Sequence, residues 1–136
     1  MTMPFGRILC GAGAALALAG CGGDVDPPDL PETATAGEPL IVTAREYLFT
    51  PNRITLRGAG GKPVAQRIDL RNQGELAHNI EILRDERVVG RLRSFPPGQT
   101  KELGVRLAAG DYSFICTVAD HDEKGMRGTI RVPAAR

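Results

Sequence analysis

Apolar residues fall on every second position in four separate stretches of the domain: Ile54 and Leu56, Ile68 and Leu70, Ile80 and Ile82, and Leu103, Val105 and Leu107, each alternating with polar or charged neighbours. Side chains of an extended chain point alternately to opposite faces of a sheet. This spacing therefore makes strands with one face in a core and the other in water. No stretch of comparable length repeats its apolar residues with the roughly 3.6-residue period of an amphipathic helix. Turn-forming clusters punctuate the pattern at Gly58-Ala-Gly-Gly61, Asn72-Gln-Gly74, Arg84-Asp-Glu-Arg87, Pro96-Pro-Gly98 and Ala109-Gly-Asp111. Strands are expected near 40–46, 52–57, 64–71, 78–83, 87–93, 99–107, 111–116 and 126–132. About eight short strands at this spacing predict an all-β fold, a β-sandwich or barrel.

With 136 residues the chain holds one modest domain. Its 17 Lys and Arg against 16 Asp and Glu leave a formal charge of +1, and aromatic residues make up 4%. A nucleic-acid partner would require clustered basic charge or a stacking platform, so this class is set aside.

The amino-terminal segment reads as an address. Arg7 is the only charge in the first 23 residues, and the uncharged run from Ile8 to Gly23 is 16 residues, short of the roughly 20 that a spanning helix needs. Residues 1–20 are expected to be a secretory signal peptide. Leu18-Ala19-Gly20-Cys21 resembles the lipobox of bacterial lipoproteins, which implies that Cys10 is discarded and Cys21 carries lipid. Residues 21–39 follow with five acids (Asp24, Asp26, Asp29, Glu32, Glu38), no base and several prolines. They are expected to form an acidic, Pro-rich tether. The domain, 40–136, carries 16 basic and 11 acidic residues. Export and lipidation place the protein in the periplasm or at the cell surface, held to a membrane through Cys21.

The scarcest residues exclude the most. Only two histidines, His78 and His121, and three cysteines, Cys10, Cys21 and Cys116, are present. No CxxC zinc or redox motif can form, nor a disulfide framework. Cys116 is the one free thiol of the mature chain, and in an oxidising compartment a metal would protect it. By strand parity Cys116 shares a face with Tyr112 and Phe114, and Met126 shares one with Gly128, Ile130 and Val132. If both faces point inward, Cys116 and Met126 flank one end of the core, with His121 on the loop between them. His78 opens a strand with the parity of Ile80 and Ile82 and can face the same end. Taken singly, a strand-end Cys or a Met after a loop is ordinary core material. Together, two His, one Cys and one Met form the donor set of a type 1 copper centre: a trigonal His, His, Cys plane with a long axial Met.

Two stretches, Asn72-Gln-Gly-Glu-Leu-Ala-His78-Asn79 and Ala109-Gly-Asp-Tyr-Ser-Phe-Ile-Cys116 through Gly125-Met126 to Val132, resemble the cupredoxins, the small blue copper proteins. Pro97-Gly98-Gln99-Thr100 resembles the turn before that family's sixth strand. The resemblance implies a Greek-key sandwich over roughly Leu40 to Val132, one copper ion, strong ligands His78, Cys116 and His121, and an axial Met126. It also implies that Asn79 ties the ligand loop to the first-ligand strand, although strict alternation would turn Asn79 away from His78, so that role needs a bend at the strand start. Four residues separate Cys116 from His121 and four separate His121 from Met126. That spacing differs from plastocyanin and azurin, and the loop is more charged than is usual around the exposed His.

The expected function is electron transfer between redox proteins such as cytochromes or respiratory complexes, with His121 near the surface as the electron port of a monomer. An enzyme is not expected, since two histidines cannot build a second copper site. The alternatives are a copper-carrying or copper-sequestering lipoprotein and a metal-free β-sandwich used for adhesion or assembly.

Overall fold

Ten strands and no helix make up residues 27–136, which the computed structural model describes. The expected signal peptide (1–20) and the lipidation site Cys21 lie outside the described residues. In chain order the strands are β1 (Pro31–Thr35), β2 (Leu40–Arg45), β3 (Leu48–Thr50), β4 (Arg53–Arg57), β5 (Val64–Asn72), β6 (His78–Arg84), β7 (Arg87–Phe95), β8 (Thr100–Leu107), β9 (Gly110–Ile115) and β10 (Arg127–Val132). One sheet runs β1-β4-β10-β9-β6-β7 and the other β3-β2-β5-β8. Strands β1 and β10 both pair parallel with β4, and β2 pairs parallel with β5, so the chain crosses repeatedly between sheets. This is a Greek-key sandwich.

The alternation in the sequence becomes the core directly. Leu40, Val42 and Ala44 of β2 and Ile68 and Leu70 of β5 face Ile54, Leu56, Ile80, Ile82 and Ile130 of the other sheet, all buried. Phe49 meets Phe114 edge-on at 5.2 Å between centroids across the same core. Such a pair adds about 0.5–1.5 kcal/mol to its area burial.

Eight strands lie where the pattern put them, to within two residues at either end. The two additional ones carried no readable pattern. β3 has three residues, too few to show a period. β1 falls inside the segment read as tether, so the tether does not reach residue 39. Its sequence, Pro-Glu-Thr-Ala-Thr, is almost wholly exposed and has no apolar face, yet it adds as an edge strand beside β4. Asn52 holds its approach in place by accepting from the Leu30 N–H (2.9 Å) and donating to the Pro28 carbonyl (2.6 Å), and Arg53 pairs with Asp29 at 2.7 Å. Backbone pairing and these ties order a segment whose composition resembles a solvated linker.

β6 lies between β7 and β9, and β9 pairs with β10. The start of β6, the end of β9 and the start of β10 therefore meet at one end of the sandwich, joined by the loop 116–126. The β2–β3 hairpin of the opposite sheet turns at the same end through Glu46 and Tyr47.

Candidate metal centre

Parity places Cys116 as the sequence predicts. Tyr112, Phe114 and Cys116 are all buried on one face, and Met126, Ile130 and Val132 on one face of the outgoing arm. His78 opens β6 pointing inward and is fully buried. Asn79 is buried as well, which strict alternation forbids. A register shift between His78 and Ile80 in the β6–β7 pairing supplies the bend that turns both residues in.

His78, Cys116 and His121 are brought together, with one ligand atom from each lying within 4.8 Å of the others. The Cys116 Sγ is 3.5 Å from His121 Nδ1 and 4.0 Å from His78 Nδ1. Metal bonds of roughly 2.0–2.1 Å to nitrogen and 2.3 Å to sulfur at trigonal angles put such donors about 3.8 Å apart. The observed separations bracket that value, so the three fit one small ion. Met126 is completely buried at the end of the same loop. Its N–H donates to the His121 carbonyl (2.9 Å) and its carbonyl accepts from the Cys116 N–H (3.1 Å). Borderline-soft nitrogen with a soft thiolate suits copper over the hard divalent cations, which prefer oxygen.

The loop is braced from several directions. The Thr117 N–H donates to Asn79 Oδ1 at 2.7 Å and Asn79 Nδ2 donates to Thr117 Oγ1 at 2.8 Å, the tie expected of Asn79. Arg127 donates from Nε and Nη2 to the Asp122 carbonyl (3.1 and 2.6 Å). On the His78 side, the buried Asn72 donates to the carbonyls of Leu76 (2.9 Å) and Phe95 (3.0 Å) and accepts from the Gly74 N–H, fixing the segment that leads into β6.

Burial pushes the Cys116 thiol up from its ordinary range, while the N–H groups of Asn79 and Val118 act against that shift. Burial also pushes His78 down, opposed by a hydrogen bond to Glu46. Glu46 Oε1 lies 3.2 Å from His78 Nε2 and accepts from the N–H groups of Glu75 (2.7 Å) and Leu76 (2.9 Å). These contacts, the Leu76 N–H foremost, lower the Glu46 carboxyl to about 2. Both imidazoles thus direct Nδ1 at the sulfur.

His121, expected near the surface, lies beneath a cover. It is 4% exposed, because the Tyr47 ring stands edge-on against it at 5.3 Å. Lys124 in turn lies 4.6 Å from the Tyr47 centroid and pairs with Asp120 at 3.1 Å. Sequence reasoning missed Glu46, Tyr47 and Thr117 as parts of the site. Glu46 and Tyr47 stand in a turn of the opposite sheet, Glu46 32 residues before His78, so only the sheet packing joins them to the site. Asn72 lay within the stretch that carries the family resemblance, but it read there only as a turn residue.

No family model and no curated protein matches the sequence. Solved structures do match in fold. Auracyanin from Roseiflexus castenholzii aligns with a TM-score of 0.60 at 17% identity, covering 71% of this chain and 98% of that one. An azurin from Methylomonas sp. strain J aligns with a TM-score of 0.59 at 14% identity over 71% and 98% of the two chains. Rusticyanin from Thiobacillus ferrooxidans aligns with a TM-score of 0.58 at 18% identity over 74% and 81%. At these identities the likeness establishes the fold: this chain has the all-β sandwich of the cupredoxins.

Proposed function

We propose that this protein is an exported, membrane-tethered blue copper protein that carries single electrons between redox proteins such as cytochromes or respiratory complexes. The observation that carries the reading is the buried Cys116 sulfur with the Nδ1 atoms of both histidines at 3.5 and 4.0 Å, at the loop end of a cupredoxin fold. Copper held there by His78, Cys116, His121 and Met126 would supply one-electron chemistry through its Cu(I) and Cu(II) states. The chain's own contribution is rigidity and exclusion of water. The thiolate and the two imidazoles are buried, and the Asn79, Asn72 and Arg127 bonds hold their loops in one arrangement, so the donors need not move when the charge changes. Tethering through lipid on Cys21 and a periplasmic or cell-surface location are supported by the apolar run and the Leu18-Ala19-Gly20-Cys21 sequence.

The reading as an electron carrier rather than an enzyme is supported by the donor set itself, which uses both histidines and has no further histidine for a second copper. A metal-delivery role is disfavoured by burial, since a partner has no open ligand to capture. Slow copper loss to a chelator together with fast electron exchange with a cytochrome separates the two roles.

Titrating the protein with Cu(II) under visible absorption and electron paramagnetic resonance tests the reading. One equivalent is expected to give an intense blue band and a narrow copper hyperfine splitting. A colourless, weakly bound copper would reject it.

A further inference from the structure

The two-residue turn of the β2–β3 hairpin belongs to the sheet opposite the one that carries His78, yet it delivers a carboxylate to that ring. Glu46 Oε1 is 3.2 Å from His78 Nε2, and His78 is fully buried, so this carboxylate is the partner of the ring nitrogen facing away from Cys116. The same oxygen is aimed by two backbone donors, the N–H groups of Glu75 and Leu76 at 2.7 and 2.9 Å. Gly74 leaves the space for it: a methyl group there would fall onto Glu46 Oε1 and within 2.8 Å of His78 Nε2.

We propose that Glu46 is a positioning residue for the metal centre: it accepts the Nε2–H of His78, fixes the tautomer whose Nδ1 lone pair faces Cys116, and sets a negative charge beside the centre. The inference deepens the copper reading and rests on it for its effect on the potential. An outer carboxylate on a ligating imidazole orients the ring and raises its basicity. It also favours the more positive of two metal oxidation states, so Glu46 holds the reduction potential down. A carboxylate that merely caps the 74–76 segment would do none of this through the ring.

Two variants of the full chain separate these roles. Glu46→Gln keeps an oxygen acceptor for all three donors and removes the charge. Glu46→Ala removes the acceptor. In the metal-free protein, ring nitrogen shifts by nuclear magnetic resonance are expected to show His78 as the Nε2–H tautomer in wild type and Glu46→Gln, and as a mixture in Glu46→Ala. In the copper-loaded protein, Glu46→Gln is expected to keep the blue band and raise the potential, shifting the Cu(I) to Cu(II) preference about tenfold, or ~59 mV for one electron. An unchanged potential in Glu46→Gln, or an unchanged tautomer in Glu46→Ala, overturns the proposal. If wild type binds no blue copper, the copper reading fails and the tautomer measurement still decides whether Glu46 positions the ring.

Discussion

Asn79 and Thr117, 38 residues apart, close a reciprocal pair of hydrogen bonds that joins the first strand of the site to its ligand loop: Thr117 N–H to Asn79 Oδ1 at 2.7 Å and Asn79 Nδ2 to Thr117 Oγ1 at 2.8 Å. Asn79→Ala removes both bonds of the pair, and at about 0.5–1.5 kcal/mol each the loss is about 1–3 kcal/mol. Thr117→Val removes only the second bond and is expected to cost less, about 1 kcal/mol. Denaturant unfolding of the metal-free variants checks the order. Equal stability of Asn79→Ala and wild type would show that the tie carries no load.

Cys116→Ser is expected to keep the fold and lose the blue colour, because a hydroxyl replaces the soft thiolate on which the band depends. The fold survives because only the terminal atom of a buried side chain changes. Met126→Leu is expected to keep the colour and raise the potential, since losing the thioether favours Cu(I). Absorption and voltammetry measure both. A blue Cys116→Ser protein, or a lowered potential in Met126→Leu, would contradict these assignments.

How far the sequence could be read follows from which forces were local. The period-2 stretches placed four strands because the burial of each is written into its own residues, Ile80 and Ile82 being the plainest case, and the turn clusters bounded the others. The convergence of His78, Cys116 and His121 followed from strand parity and the short loop. β1 was not legible because an exposed edge strand is ordered by pairing and by Asn52, neither of which leaves an apolar period. Glu46 and Tyr47 were not legible because their partners lie across the sandwich, and a turn residue shows nothing of what faces it from the other sheet. The same gap hid the cover over His121, which comes from Tyr47.

Gly128 in β10 is pressed between Phe114 and the Asn52 backbone. A methyl group there would collide with the Asn52 carbonyl and come within 2.7 Å of the Phe114 ring. Backbone cannot yield as a flexible side chain can, so Gly128→Ala is expected to cost about 1–3 kcal/mol. Gly104 in β8 is an exposed control with nothing within 4 Å of the added carbon. Gly104→Ala is expected to stabilise by about 0.4–1 kcal/mol, by reducing the freedom of the unfolded chain. Thermal melts of the two variants should move in opposite directions, and a destabilised Gly104→Ala with an unaffected Gly128→Ala would refute the packing argument.

Acid is expected to destabilise the metal-free protein in two stages. His78 is pushed below its ordinary value of 6.5 by burial. Below that pH the unfolded chain binds a proton that the folded chain refuses, so unfolding takes up protons and stability falls. Glu46, lowered from 4.5 to about 2 chiefly by the Leu76 N–H, repeats the effect between those two values. Denaturant midpoints measured from pH 7.5 down to 3 check the profile, and Glu46→Gln should weaken the lower stage, to which Asp69 and Asp120, lowered by bonds to Arg67 and Lys124, also contribute. A stability that rises on acidification from pH 6.5 would be incompatible with a neutral, buried His78.

Tyr47 closes the surface over His121, and its backbone is held at a φ of 59°, a left-handed conformation rarely adopted by a bulky residue. The ring is kept there by its edge-on contact with the imidazole and by Lys124, whose Nζ donates to the Tyr47 hydroxyl at 3.3 Å. Tyr47→Ala removes the cover and opens His121 to water and to competing ligands. The lost ring contact is worth about 0.5–1.5 kcal/mol. At about 1.4 kcal/mol per factor of ten, copper loss to a chelator should accelerate by up to about tenfold. Tyr47→Phe keeps the ring and should lose copper at close to the wild-type rate, which separates shielding by the ring from the Lys124 bond to the hydroxyl. If Tyr47→Ala and wild type release copper at the same rate, the ring is not what guards the site.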